Sequence, residues 1–125
     1  MIVLKTNREL ALMREACIIS AGALKLAGEA VEPGVTTAEI DKIAYDYIIK
    51  CGAKPNFLNY NGYPATACIS INDEVIHGIP SKKRVIEEGD IVSIDLGAVL
   101  EGFNGDNAAT FAAGAISSEA KRLCD

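Results

Sequence analysis

The sequence predicts an α+β domain, with two helices on one face of an antiparallel sheet. Three observations carry this. Two capping-box signals, Thr6 with Glu9 and Thr36 with Glu39, each open a helical apolar repeat. ACISI, residues 67–71, then reads as a strand. Finally, IDLGAVLEGFNGDNAATF, residues 94–111, reads as two strands around Glu101-Gly102. Helices first and strands afterwards is an α+β order, not the alternation of a parallel sheet.

The first helix is expected over residues 7–31, where Leu10, Met13, Cys17, Ala21, Leu24 and Gly28 recur at three- and four-residue steps. Pro33-Gly34 stops it. In the second helix Ile40, Ile43, Ala44, Tyr47 and Ile48 make the apolar stripe, with Gly52 as C-cap. KPNFLNYNGYPA, residues 54–65, carries two prolines, three asparagines and three aromatics, a loop composition. Residues 72–90 form a polar connection holding the only histidine, His77. After the hairpin, ISSEAKRLCD begins a further helix capped by Ser117 or Ser118.

Composition narrows the function classes. At 125 residues, half of them hydrophobic and 23% charged, the chain has room for one globular domain, residues 1–125. A net charge of −5 gives no footprint for nucleic acid, and Lys82-Lys83-Arg84 reads as a solvated loop. Cysteines 17, 51, 68 and 124 form no CxxC pair and read as reduced, mostly buried thiols. No apolar run approaches a membrane span, and MIVLKTNREL is too short in its apolar part for a signal peptide. A cytoplasmic protein is expected.

The chemistry concentrates in the hairpin. With Glu101-Gly102 as a two-residue turn, Asp95 faces Ala108 and Gly97 faces Asp106. Side chains alternate along a strand, so Asp95 and Asp106 are diagonal neighbours on one face, among the small residues Ser93, Gly97 and Ala108. Spacing leaves three readings: solvated carboxylates, a pair sharing one proton, or ligands of one or two divalent cations. His77, just upstream, reads either as a surface or satisfied residue or as a functional one. Asp73 and Glu74 read as turn surface. There is no GxSxG serine and no second histidine.

EPGVTTAEID, NYNGYPATACISINDEVIHGIP and EEGDIVSIDLGAVLEGFNGDNAATF, in this order and spacing, resemble type I methionine aminopeptidases of the bacterial kind, from residue 6 to the end. The resemblance implies the first half of a pita-bread (creatinase/aminopeptidase) fold, an incomplete domain. It implies two divalent metal ions (manganese, iron, cobalt or zinc) in the full-length enzyme, with Asp95 as a bidentate ligand and Asp106 as a bridge. His77 matches the histidine that contacts the scissile amide. Tyr60, Tyr63 and Cys68 match the lining of the methionine pocket, while Phe57 stands where some members have cysteine. Asn72 matches a position at a monovalent-cation site. The implied activity is removal of the N-terminal methionine from nascent proteins near the ribosome, by a metal-bound hydroxide attacking the first peptide bond.

Members of that family are about twice as long, and a histidine, two glutamate ligands and a second catalytic histidine belong to their other half. The expectation for these 125 residues is therefore a truncated chain with negligible peptidase activity and no tightly held metal. It is also expected to self-associate to rebury apolar surface. The alternative is a non-catalytic module that uses the same pocket to hold a peptide or partner.

Overall fold

The computed structural model describes residues 1–125, and its element order follows the sequence pattern. Helix α1 spans Asn7–Glu29 and α2 spans Thr37–Lys50. Both capping boxes form: the threonine side chain accepts from the glutamate N–H while the glutamate carboxylate accepts from the threonine N–H. Each satisfies two backbone donors that a helix end leaves orphaned. Ala30 caps α1, and Cys51 caps α2 with Gly52 following in the left-handed region at φ 77°.

Four strands make one antiparallel sheet: β1 (Lys54–Pro55), β2 (Ala67–Ile71), β3 (Ile91–Leu100) and β4 (Phe103–Ala112). Strand β3 is central. Its outer half pairs with β1 through Val99 and Ala98, and its inner half pairs with β2 from Leu96 to Val92. On its other side it pairs with β4 along ten residues without a bulge. Glu101 and Gly102, at φ 49° and 83°, both sit in the left-handed region, the two-residue turn whose twist matches flanking strands. The short α3 (Ser118–Cys124) is capped by Ser117, whose Oγ accepts from the Ala120 N–H.

One face of the sheet is closed by the helices. Val92, Ile94, Leu96 and Ala98 of β3 and Ile69 and Ile71 of β2 meet Ile40, Ala44 and Ile48 of α2 in a single core. Complete burial of one such isoleucine stabilises by about 1.5–3 kcal/mol.

The buried face of helix α1 coincides only in part with its apolar repeat, sharing Leu24 and Gly28. Ala16, Ile19, Ser20, Ala23, Leu24, Ala27 and Gly28 are buried, while Leu10, Cys17 and Ala21 are exposed. The reason lies in β4. Gly105 has no side chain where a Cβ would run into the backbone of Ala16 and Cys17, and Gly28 makes room for the Phe111 ring. The helix rides so close to the strand that small residues, not the most apolar ones, must face it. The thiols also differ from expectation: all four are free, but only Cys68 is buried. Cys17, Cys51 and Cys124 lie at helix surfaces or ends, where no partner covers them.

Candidate metal and substrate site

The opposite face of the sheet is open, and the predicted residues gather there. The observed register places Asp95 opposite Ala108 and Gly97 opposite Asp106, and on the other side Cys68 opposite Asp95. Asp95, Asp106 and Cys68 therefore share one face, above a floor of small residues. A cleft of about 700 Å³ stands over them. Its walls include Phe57, Tyr60, Tyr63, Cys68, His77, Asp95 and Asp106, so seven of the eight predicted site residues converge.

The eighth, Asn72, lies elsewhere. Its amide donates to Asp90 Oδ1 at 2.8 Å and its Oδ1 accepts from the Ile91 N–H at 3.0 Å, locking the start of β3 to the end of β2.

Local geometry explains each wall. The segment after β2 folds back along that strand: Gly78 O accepts from the Ile69 N–H and the Gly78 N–H donates to Ser70 Oγ. A Cβ at position 78 would collide with Ile69 O, which accounts for the glycine in HGIP. His77, one residue earlier, is held at φ 61°. Strained non-glycine backbone of that kind collects at functional sites. On the facing wall Tyr63 Oη donates to Ala67 O at 2.8 Å. Asn59 and Asn61 take left-handed turns around Tyr60, a conformation asparagine tolerates.

The electrostatics are those of an unneutralised site. Asp95 Oδ1 is buried and has no hydrogen-bond partner. Burial pushes the Asp95 carboxyl above its usual range, the charge of Asp106 and a hydrogen bond with it push the same way, and His77 opposes them. Burial also raises the Cys68 thiol and the Tyr63 phenol. An orphaned buried carboxylate oxygen beside a second carboxylate is the donor set a hard divalent cation takes. The residues present fit such an ion. No group of three or more His, Cys, Asp or Glu side chains suited to a metal forms anywhere in the fold.

Sequence reading missed part of the site. Asn56 and Pro64, before β2, and Ile79, after it, also line the cleft, in two loops whose paths no periodicity reveals. It also missed Asp41 of α2, whose Oδ1 accepts from the N–H groups of Thr66 at 3.0 Å and Ala67 at 2.7 Å. Burial raises the Asp41 carboxyl, against these two bonds. The signal was a lone acid amid the apolar stripe of α2.

The sheet thus carries two aspartates, diagonal neighbours on one face, under a cleft with aromatic and polar walls. The chain belongs to metallopeptidase family M24, whose model matches residues 11–125. It is 53% identical over 123 residues to a methionine aminopeptidase of Clostridium acetobutylicum, covering 98% of this chain and 49% of that one. It is 46% identical over 125 residues to methionine aminopeptidase 1 of Bacillus subtilis, covering 100% and 50%. The structure of methionine aminopeptidase from Thermotoga maritima superposes with a TM-score of 0.97 at 39% identity, over 99% of this chain and 50% of that one. The fold is thus half of the pita-bread arrangement, and the chain spans about half the length of the curated relatives it matches.

Proposed function

We propose that these residues form one wall of a dinuclear metallo-exopeptidase site that removes N-terminal methionine from peptides and nascent proteins. The observation that supports it most is the orphaned Asp95 Oδ1, beside Asp106 and in the same open cleft as His77. Asp95 and Asp106 would hold the ions. Bound divalent ions supply the missing positive charge and the acidity that activates a water. His77, in the wall of the same cleft, would hydrogen-bond the scissile amide. Phe57, Tyr60, Tyr63 and Cys68 offer an apolar and polarizable lining suited to a methionine side chain. Asn72, outside this cleft, would serve a monovalent-cation position. The reading places the protein in the cytoplasm, near the ribosome, and no helix is long and apolar enough to cross a membrane.

Two carboxylates leave an ion mostly hydrated, so manganese, iron, cobalt or zinc should bind this chain weakly. Peptidase activity of the 125 residues alone should be negligible. Calorimetry with manganese tests the ligand assignment: weak binding to the wild type and none to Asp95→Ala is expected. Equal affinity in the two proteins would overturn it. Hydrolysis of a Met-Ala-Ser peptide at an ordinary enzyme rate would overturn the inactivity of the chain on its own. The same residues could instead serve a non-catalytic module holding a peptide. A pure binding module has no use for an unneutralised carboxylate pair, which favours the peptidase reading.

A further inference from the structure

We infer that Ser70 is a positioning residue for His77: its buried hydroxyl fixes the peptide group that follows His77 and so keeps the imidazole in the wall of the cleft. Its use in catalysis rests on the reading of His77 given above, whereas the placement rests on hydrogen bonds alone. Ser70 stands within β2, on the face that carries Cys68. It is only 4% exposed. A hydroxyl in such a place needs a partner, because a buried polar group left unpaired is costly. Ser93, opposite it in the ladder, bonds Thr110 Oγ1 at 2.8 Å instead. The partner of Ser70 Oγ is the Gly78 N–H, which donates to it at 3.0 Å.

That bond matters because of the backbone next to it. His77 has φ 61°. A non-glycine residue stays in this left-handed region only where its surroundings over-determine it. Here they do so through Gly78. The Gly78 C=O accepts from the Ile69 N–H at 2.8 Å and from the Tyr63 hydroxyl at 3.3 Å. That hydroxyl also serves Ala67 O, at the shorter distance of 2.8 Å. The Glu74 carboxylate, paired with Arg84 at 2.8 Å, lies against Gly78 as well. The carbonyl is thus held by two donors, but the N–H is held by Ser70 alone.

The Gly78 N–H belongs to the same planar group as the His77 carbonyl. With the Ser70 hydroxyl gone, that plane can turn and His77 can relax to a negative φ. The change redirects its Cα–Cβ bond and takes the imidazole away from the cleft wall. Losing one such bond shifts the balance between the held and released forms by roughly tenfold. Asp95 and Asp106 stay where they are, because the β3–β4 ladder that carries them does not involve this hydroxyl. Ser70 therefore acts through His77 and not through the carboxylates.

The chain has one histidine, so its magnetic-resonance signals are unambiguous. In the wild type the positive φ should give His77 a strong amide-to-Hα cross-peak. In Ser70→Ala, relaxation dispersion at His77 should show the ratio of held to released forms reduced by roughly tenfold, and Ser70→Thr, which keeps the hydroxyl, should restore it. A merely structural role for Ser70 would lower the unfolding midpoint and leave this ratio unmoved. An unchanged ratio in folded Ser70→Ala overturns the proposal, as does a loss that Ser70→Thr does not restore. If Ser70→Ala fails to fold, Ser70→Cys, similar in size but a weaker acceptor, decides by the same ratio. Manganese added below stoichiometry tests the reading of the cleft in the same sample, and should broaden the His77 ring signal. A ring left sharp in the wild type counts against a metal site at Asp95 and Asp106, while the dispersion data still decide the placement of His77.

Discussion

Replacing Asp95 by asparagine should stabilise the metal-free chain, because this carboxylate is a cost in the folded state. Its Oδ1 is buried without a partner, and Asp106 is its neighbour on the same face. Leaving a buried polar group unpaired costs about 1–3 kcal/mol. Asp95 is only half-buried, so solvent screening reduces this, and a gain of about 1 kcal/mol is the reasonable expectation at neutral pH. The sign with pH is fixed by linkage. Burial and Asp106 raise the folded carboxyl above its ordinary 3.8, so the native chain binds this proton more tightly than the unfolded chain does. Wild-type stability from this group therefore rises as pH falls through the raised value. The advantage of Asp95→Asn is complete above that value and disappears below 3.8. Urea unfolding of both proteins across this range measures the difference directly. With a slope of about 2 kcal/mol per molar, the variant's midpoint should lie about 0.5 M higher at neutral pH and coincide with wild type in acid. A variant less stable than wild type at neutral pH, or a difference that ignores pH, would refute the reasoning.

Asp41→Ala should lower stability by about 2 kcal/mol in thermal unfolding, because the N–H groups of Thr66 and Ala67 lose their acceptor. Gly105→Ala should cost about 1–3 kcal/mol in urea, since its methyl meets the backbone of Ala16 and Cys17 and neither can retreat. A disulfide reagent should titrate three thiols quickly, Cys17, Cys51 and Cys124, with Cys68 reacting only on unfolding. Four equally fast thiols would show that the cleft wall over Cys68 opens freely.

The hairpin was legible because two local rules define it. A two-residue turn sets the register, and a period of two sets the face, so the diagonal relation of Asp95 and Asp106 follows without tertiary information. Both capping boxes were equally local. The buried face of α1 was not. It depends on how closely β4 presses, and that is decided by Gly105 and Phe111, distant in sequence from the helix. Hydrophobicity ranks Leu10 above Ala16 for burial; close packing reverses them.

The same distinction separates the parts of the cleft. Asp95, Asp106 and Cys68 stand on paired strands, so their relative positions are as firm as the ladder that carries them. The aromatic wall is a loop, and its firmness is borrowed. Asp41 ties its end to α2 through Thr66 and Ala67, and the Tyr63 hydroxyl closes back on Ala67 O. His77 borrows likewise from Gly78, the one residue small enough to lie against Ile69. Residues that would hold charge are thus placed by the sheet. Those that would select a side chain are placed by contacts that a single substitution at Asp41 or Gly78 would release. Specificity should therefore be lost more readily than metal binding when this half-domain is perturbed away from the cleft.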